Sequence, residues 1–178
     1  MRNLNFAFLV LIPILFLCGC YESEVPLSKT PSSKVDTRLV GSWISIPNDN
    51  KKKAISLLLL KFNEDEYLVA WAEGKDDKTI IARGFNTKIN DANIINLQNI
   101  EPLEKNNRTY VFFKYVFNVK GNLVVNVLSH DFANLKRMKF KSTKNFYDFI
   151  QKNISQNGLF GDSIEFRPTE DIRFEINP

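Results

Sequence analysis

Residues 110–128 read YVFFKYVFNVKGNLVVNVL. Val111, Phe113, Tyr115, Phe117 and Val119 alternate with a set that includes Lys114 and Asn118, and Leu123, Val125 and Val127 alternate again after Lys120-Gly121-Asn122. Successive side chains of a strand point to opposite faces, so this period of two describes two strands with one apolar face each. A three-residue loop at Lys120-Gly121-Asn122 sets Val119 opposite Leu123, Phe117 opposite Val125 and Tyr115 opposite Val127. A two-residue Lys120-Gly121 turn faces Tyr115 with Asn126 instead. Register follows the buried face, so the three-residue loop is expected.

On the N-terminal side of this hairpin, short apolar runs alternate with turn residues. Leu39 to Ile46, Ala54 to Phe62, Tyr67 to Ala72, Thr79 to Ile89 and Asn93 to Leu97 read as strands. Asn63-Glu64-Asp65-Glu66, Gly74-Lys75-Asp76-Asp77 and Asn90-Asp91 supply the turns between them. On the C-terminal side, Phe146, Phe149, Ile150 and Ile154 form one apolar stripe at helical spacing, predicting a helix over Thr143 to Asn153 with Ser142 or Thr143 capping it. Ser163 to Phe166 and Ile172 to Ile176 read as final strands. Long unpaired edges invite aggregation, so this pattern predicts a mainly β domain over residues 37–178: a closed or nearly closed antiparallel barrel of about eight to ten strands with one C-terminal α-helix.

Leu39-Val40-Gly41-Ser42-Trp43 resembles the G-x-W opening of lipocalins and lipocalin-like proteins. That resemblance implies a Trp lying across the barrel floor, against an Arg on the last strand for which Arg167 and Arg173 are candidates. The hairpin Phe113 to Leu128, the stretch from Phe140 to Asn153 and Phe160-Gly161-Asp162 together are similar to the C-terminal half of small bacterial lipoproteins of unassigned activity. The similarity implies a lipocalin-like envelope protein and supplies no chemistry.

The first twenty residues address location. One cation, Arg2, precedes the apolar run Phe6 to Leu17, which is too short to span a bilayer core needing about 20 apolar residues. A short apolar core behind a basic start, ending in small residues, is the pattern of a secretory signal. Leu17-Cys18-Gly19-Cys20 resembles the lipobox of bacterial lipoproteins. The resemblance implies a signal peptide over residues 1–19, cleavage between Gly19 and Cys20, and a diacylglyceryl group on the Cys20 thiol. Several acyl chains at about 0.8 kcal/mol per buried CH₂ make a durable anchor. No Asp follows Cys20 as an inner-membrane retention signal, so in a cell with two membranes the outer one is expected, with the domain facing the periplasm. Tyr21 to Asp36 is polar, with four Ser and two Pro and no apolar period, and residues 20–36 read as the lipidated Cys and a flexible tether.

Without residues 1–19 the chain keeps 159 residues, one domain's worth, with 23 cations and 20 acids spread along it. Lys51-Lys52-Lys53 is the only run of three cations, and nucleic acid is not an expected partner. A thioether at Cys20 leaves the mature chain without a thiol, so neither disulfides nor cysteine chemistry are available. His130-Asp131 joins the single histidine to a carboxylate, but neighbours on an extended chain point to opposite faces, and adjacency is not a catalytic dyad. One His without Cys excludes the common zinc sets. Glu64-Asp65-Glu66 and Asp76-Asp77 lack the spacing of a calcium loop, and neither a phosphate loop nor a G-x-S-x-G elbow occurs. A non-enzymatic protein with no metal and no cofactor is expected.

The remaining handle is aromatic: beyond the leader lie 12 Phe, five Tyr and two Trp. A barrel of about eight strands either fills its interior with side chains or leaves room for one small ligand. In the second case Trp43, Trp71, Phe113, Tyr115 and Phe117 are the candidate wall for a small apolar or lipid-like ligand. The alternative is an interaction module that inhibits, protects or scaffolds another envelope protein. An exposed apolar patch would favour the interaction module, and a lined cavity the ligand.

Overall fold

The computed structural model describes residues 20–31, 33–47, 53–74, 78–100 and 108–170. The leader 1–19, Lys51-Lys52, Asp76-Asp77 and the expected strand Ile172 to Ile176 with Arg173 lie outside these residues. Eight strands follow one another: β1 (Gly41–Ser45), β2 (Ile55–Lys61), β3 (Glu66–Glu73), β4 (Ile80–Ile89), β5 (Ala92–Asn99), β6 (Tyr110–Phe117), β7 (Leu123–Leu128) and β8 (Phe160–Pro168). Each pairs antiparallel with the next, and β1 pairs with β8, so the sheet closes into an eight-stranded barrel with no open edge. Among the described residues there is one α-helix, α1 (Thr143–Asn153), which follows a 3₁₀ segment (Phe132–Arg137) between β7 and β8, and the Ser142 hydroxyl accepts from the Asn145 amide to cap it. No helix among the described residues is long and apolar enough to cross a membrane.

The β6–β7 hairpin keeps the expected faces but not the expected register. Phe117 pairs with Leu123, Tyr115 with Val125 and Phe113 with Val127, two residues from the three-residue-loop alignment. Asn118 explains the shift. Its side-chain oxygen accepts from the Lys120 and Asn122 amides, and its backbone accepts from Gly121 at a φ of +79°. This five-residue turn leaves Val119 fully exposed instead of opposite Leu123. A shift of two conserves the face, which is why the period-two reading survives a wrong loop length.

The alternation builds two cores. Inward side chains, among them Leu59, Tyr67, Val69, Leu97, Tyr115 and Phe166, form the core inside the barrel together with Val35, Leu39 and Trp43. Outward Ile94 and Phe112 pack with Phe146 and Ile150 of α1 and with Tyr21 and Leu27, making a second core outside the barrel. The Phe146 ring meets Phe112 edge-on at 4.9 Å and stacks on Phe140 at 4.8 Å.

Residues 20–31, read from composition as part of a tether, are laid along this outer face. Tyr21, Ser23 and Leu27 are buried, the Tyr21 amide donates to the Leu128 carbonyl, and Ser23 exchanges backbone bonds with Tyr110. The Leu27 amide donates to Asn96 Oδ1 at 2.8 Å, and Asn96 in turn donates to Thr87 Oγ1. Composition misleads here because a few apolar anchors, the buried Tyr21 and Leu27 with the half-buried Val25, suffice once a complementary face exists.

Candidate functional site

In an up-and-down barrel the connections alternate between the two ends. The β2–β3, β4–β5 and β6–β7 turns share one end, and residues 35–39 close it. Val35 donates its amide to the Glu64 carbonyl in the β2–β3 connection, and Thr37–Leu39 form a 3₁₀ turn with Asp36 as its cap. Trp43 Nε1 donates to the Leu39 carbonyl at 2.9 Å, and its ring tilts against Phe117 at 6.0 Å. Beneath them the Arg38 guanidinium sits over the Phe117 ring at 4.8 Å. The arginine at this floor is therefore Arg38 and not Arg167. Arg167 pairs with Ile44 across β1–β8 and is exposed, while the inward position next to it belongs to Phe166.

A polar net fastens the floor to the wall. The Asp36 amide donates to the Tyr67 hydroxyl at 2.6 Å, Asn86 Nδ2 donates to the same oxygen at 2.9 Å, and the Tyr115 hydroxyl donates to the Asp36 carboxylate at 3.3 Å. The Arg38 guanidinium, bonded to both Asp36 oxygens, holds that carboxyl below its ordinary value against a smaller opposing effect of burial. Burial, followed by the Asp36 charge, pushes the Tyr115 phenol far above its ordinary value, so it remains a hydrogen-bond donor throughout the neutral range.

Above this floor the barrel is not filled. A cavity of about 160 Å³ runs from Leu39 up past Leu57, Leu97 and Val125 to Ile55, Ile80, Val111 and Val127 near the opposite end. Apart from Cys20, Trp71 and Tyr115, its wall is made of Leu, Ile, Val and Phe alone. Three of the five aromatic candidates, Trp71, Phe113 and Tyr115, line it together. Trp43 and Phe117 lie outside the lining, packed into the floor. The sequence reading missed most of the aliphatic wall. In Ile55–Lys61 the four successive leucines hide the alternation, since Leu57 and Leu59 face the cavity while Leu60 is exposed. Asp36 and Tyr67 carried no signal in the sequence, because their roles arise from residues 31 positions apart meeting at the floor.

Cys20 joins the wall at the end opposite the floor. It forms a bridge with Ser129 just after β7, and the adjoining Tyr21 amide is bonded to Leu128. Burial, with a smaller effect from the Glu22 charge, raises its thiol to about 11, so at neutral pH it is protonated and a poor nucleophile. His130 and Asp131 lie in a turn after β7 and not on extended chain, so their side chains meet instead of pointing to opposite faces: His130 Nε2 stands 3.0 Å from Asp131 Oδ1, and the largely exposed Asp131 also meets Lys136 at 3.2 Å. No group of three or more potential metal ligands is found among the described residues.

No protein-family model matches the chain, and neither a curated protein nor a solved structure is significantly similar to it.

Proposed function

We propose that this chain is a non-enzymatic envelope lipoprotein, acylated at Cys20, whose lipocalin-like barrel holds a small apolar or lipid-like ligand. The observation that carries the reading is the cavity of about 160 Å³ with its hydrocarbon wall. Engineered apolar cavities of about 150 Å³ stay dry and take up a benzene-sized molecule. The ligand, or the part of it that enters, is therefore small. Drug-sized ligands use pockets of roughly 300–1,000 Å³.

The lipobox-like Leu17-Cys18-Gly19-Cys20 supports the anchor. Because Tyr21 and Leu27 are docked on the barrel, an acylated Cys20 would hold the end opposite the floor close to the bilayer, with no slack between. Exposed Lys136, Arg137 and Lys139 lie beside it, as the bond from the Tyr21 hydroxyl to the Met138 carbonyl shows. Cations near an anionic leaflet contribute about 1 kcal/mol each. In a cell with two membranes the proposed site is the outer membrane, facing the periplasm.

Two measurements test the reading. Mass analysis of the mature amino terminus should find acylated Cys20, and Cys20→Ser should leave a larger precursor without acyl mass. The Cys20→Ser protein, purified as a folded barrel, should carry or take up an apolar ligand in native mass spectra and melt higher with it, the ligand adding about 2.7 kcal/mol to the unfolding free energy at a hundredfold excess over Kd. A barrel that binds nothing, combined with one specific protein recovered by crosslinking in the envelope, would transfer the assignment to an interaction module.

A further inference from the structure

Residue 20 is where the proposed lipid attaches, and the same residue is part of the cavity wall. We infer that an acyl chain carried by Cys20 folds back into the barrel, so that the cavity's occupant is a segment of the protein's own anchor. The inference rests on the reading of Cys20 as lipidated. Its independent support is geometric. Cys20 does not swing on a loose tether: its bridge to Ser129 and the bond from the Tyr21 amide to Leu128 fix it at the end of β7, at the rim that Val127 also lines.

The wall suits such an occupant. Hydrocarbon side chains from Phe113, Val125, Val127 and Ile164 offer an acyl chain dispersion contacts and no polar group that would go unpaired. The volume of about 160 Å³ sets the reach: by comparison with the benzene-sized guest of a cavity of about 150 Å³, a segment of about six carbons fits. A diacylglyceryl group has two chains and the terminal amine adds a third, so seating part of one leaves others for the bilayer. Transfer of a chain segment from bilayer to cavity exchanges one apolar surrounding for another and is close to neutral, whereas transfer from water is favourable. The seat is therefore filled chiefly when the protein is out of the bilayer, where it shields part of the anchor from water.

Cells expressing the full chain are fed a fatty acid bearing a diazirine, and the mature protein is extracted, purified in a mild detergent, weighed and irradiated. The expected result is a crosslinked species in which the Cys20 peptide is joined through its acyl chain to wall peptides containing Phe113, Val125, Val127 or Ile164. Val125→Phe, which intrudes on the cavity, should lower that yield several-fold. Val116→Phe, on the exposed outer face, should not. If Val125→Phe does not fold, the wild-type crosslink map decides alone. Acyl mass on Cys20 with crosslinks confined to detergent, phospholipid or outer-face residues overturns this inference and leaves the lipoprotein reading intact. A wall adduct of labelled fatty acid lacking the Cys20 peptide also overturns it, because the occupant is then a separate lipid. Absence of acyl mass, visible before irradiation, overturns both.

Discussion

The Tyr115 hydroxyl donates to the Asp36 carboxylate at 3.3 Å, tying the inner wall of the barrel to the segment that closes its floor across 79 positions of sequence. Tyr115 serves two surfaces, since its ring belongs to the cavity wall and its oxygen to the floor. Tyr115→Phe keeps the ring and removes the tie. Asp36 retains Arg38, so its carboxylate is not stranded. The expected loss is about 0.5–1.5 kcal/mol in denaturant melts, with ligand uptake unchanged. A loss of about 3 kcal/mol or more, of the size seen for large core truncations, would mean that the ring itself had moved.

Asp36 gives the floor a pH dependence of definite sign. Arg38 lowers its folded pKa below the unfolded value, so its contribution is fully present above about pH 4 and is lost as pH falls through the folded value. Asp36→Asn should be less stable than wild type at pH 7, and the difference should shrink on acidification below about pH 4. Paired melts at pH 7 and pH 3 measure this. A constant gap between the two proteins would place the stabilising charge elsewhere.

The fold was legible where the period-two signal was unbroken. Phe113, Tyr115 and Phe117 announced a barrel wall, and Phe146 and Ile150 announced the helix with its bounds at Thr143 and Asn153. What escaped reading was set by polar groups acting over distance. Asn118 lengthens a turn by accepting two amides, and nothing in Lys120-Gly121-Asn122 signals that. Asn96 captures Leu27 from 69 positions away, turning a polar Ser- and Pro-rich stretch into a packed strap. The cavity was legible only in part, because its aliphatic wall sits in runs such as Leu57 to Leu60, where both faces are apolar.

Docking of α1 depends on Phe146, which is fully buried, more than on Phe149, which is half-buried between Phe132 and Phe140. Phe146→Ala should cost about 3–5 kcal/mol. Phe149→Ala should cost less, and Lys152→Ala, on the exposed side, should stay within about 0.5 kcal/mol. Denaturant midpoints in the order Lys152→Ala, Phe149→Ala, Phe146→Ala from high to low are expected. Any other order would mean that the stripe faces differently.

Asn96 controls whether the strap carrying Cys20 stays on the barrel. It is completely buried, accepts from the Leu27 amide at 2.8 Å, and donates to Thr87 Oγ1 at 2.8 Å and to the Phe85 carbonyl at 3.2 Å. Asn96→Ala leaves the Leu27 amide without its acceptor in an apolar surrounding, a loss of about 1–3 kcal/mol. Most of that loss should fall on undocking of the strap, since the backbone ladder of β5 with β4 and β6 needs no side chain from Asn96. Trypsin reports the undocked state through the exposed Lys29, and when reclosing outpaces cleavage the rate follows the open population. Cleavage after Lys29 should therefore accelerate roughly 5- to 150-fold in Asn96→Ala, while cleavage after Lys61 in β2 changes far less. Cleavage after Lys29 that is equally fast in the wild type would mean the strap is already loose in solution. Cys20 would then no longer be held at the cavity rim.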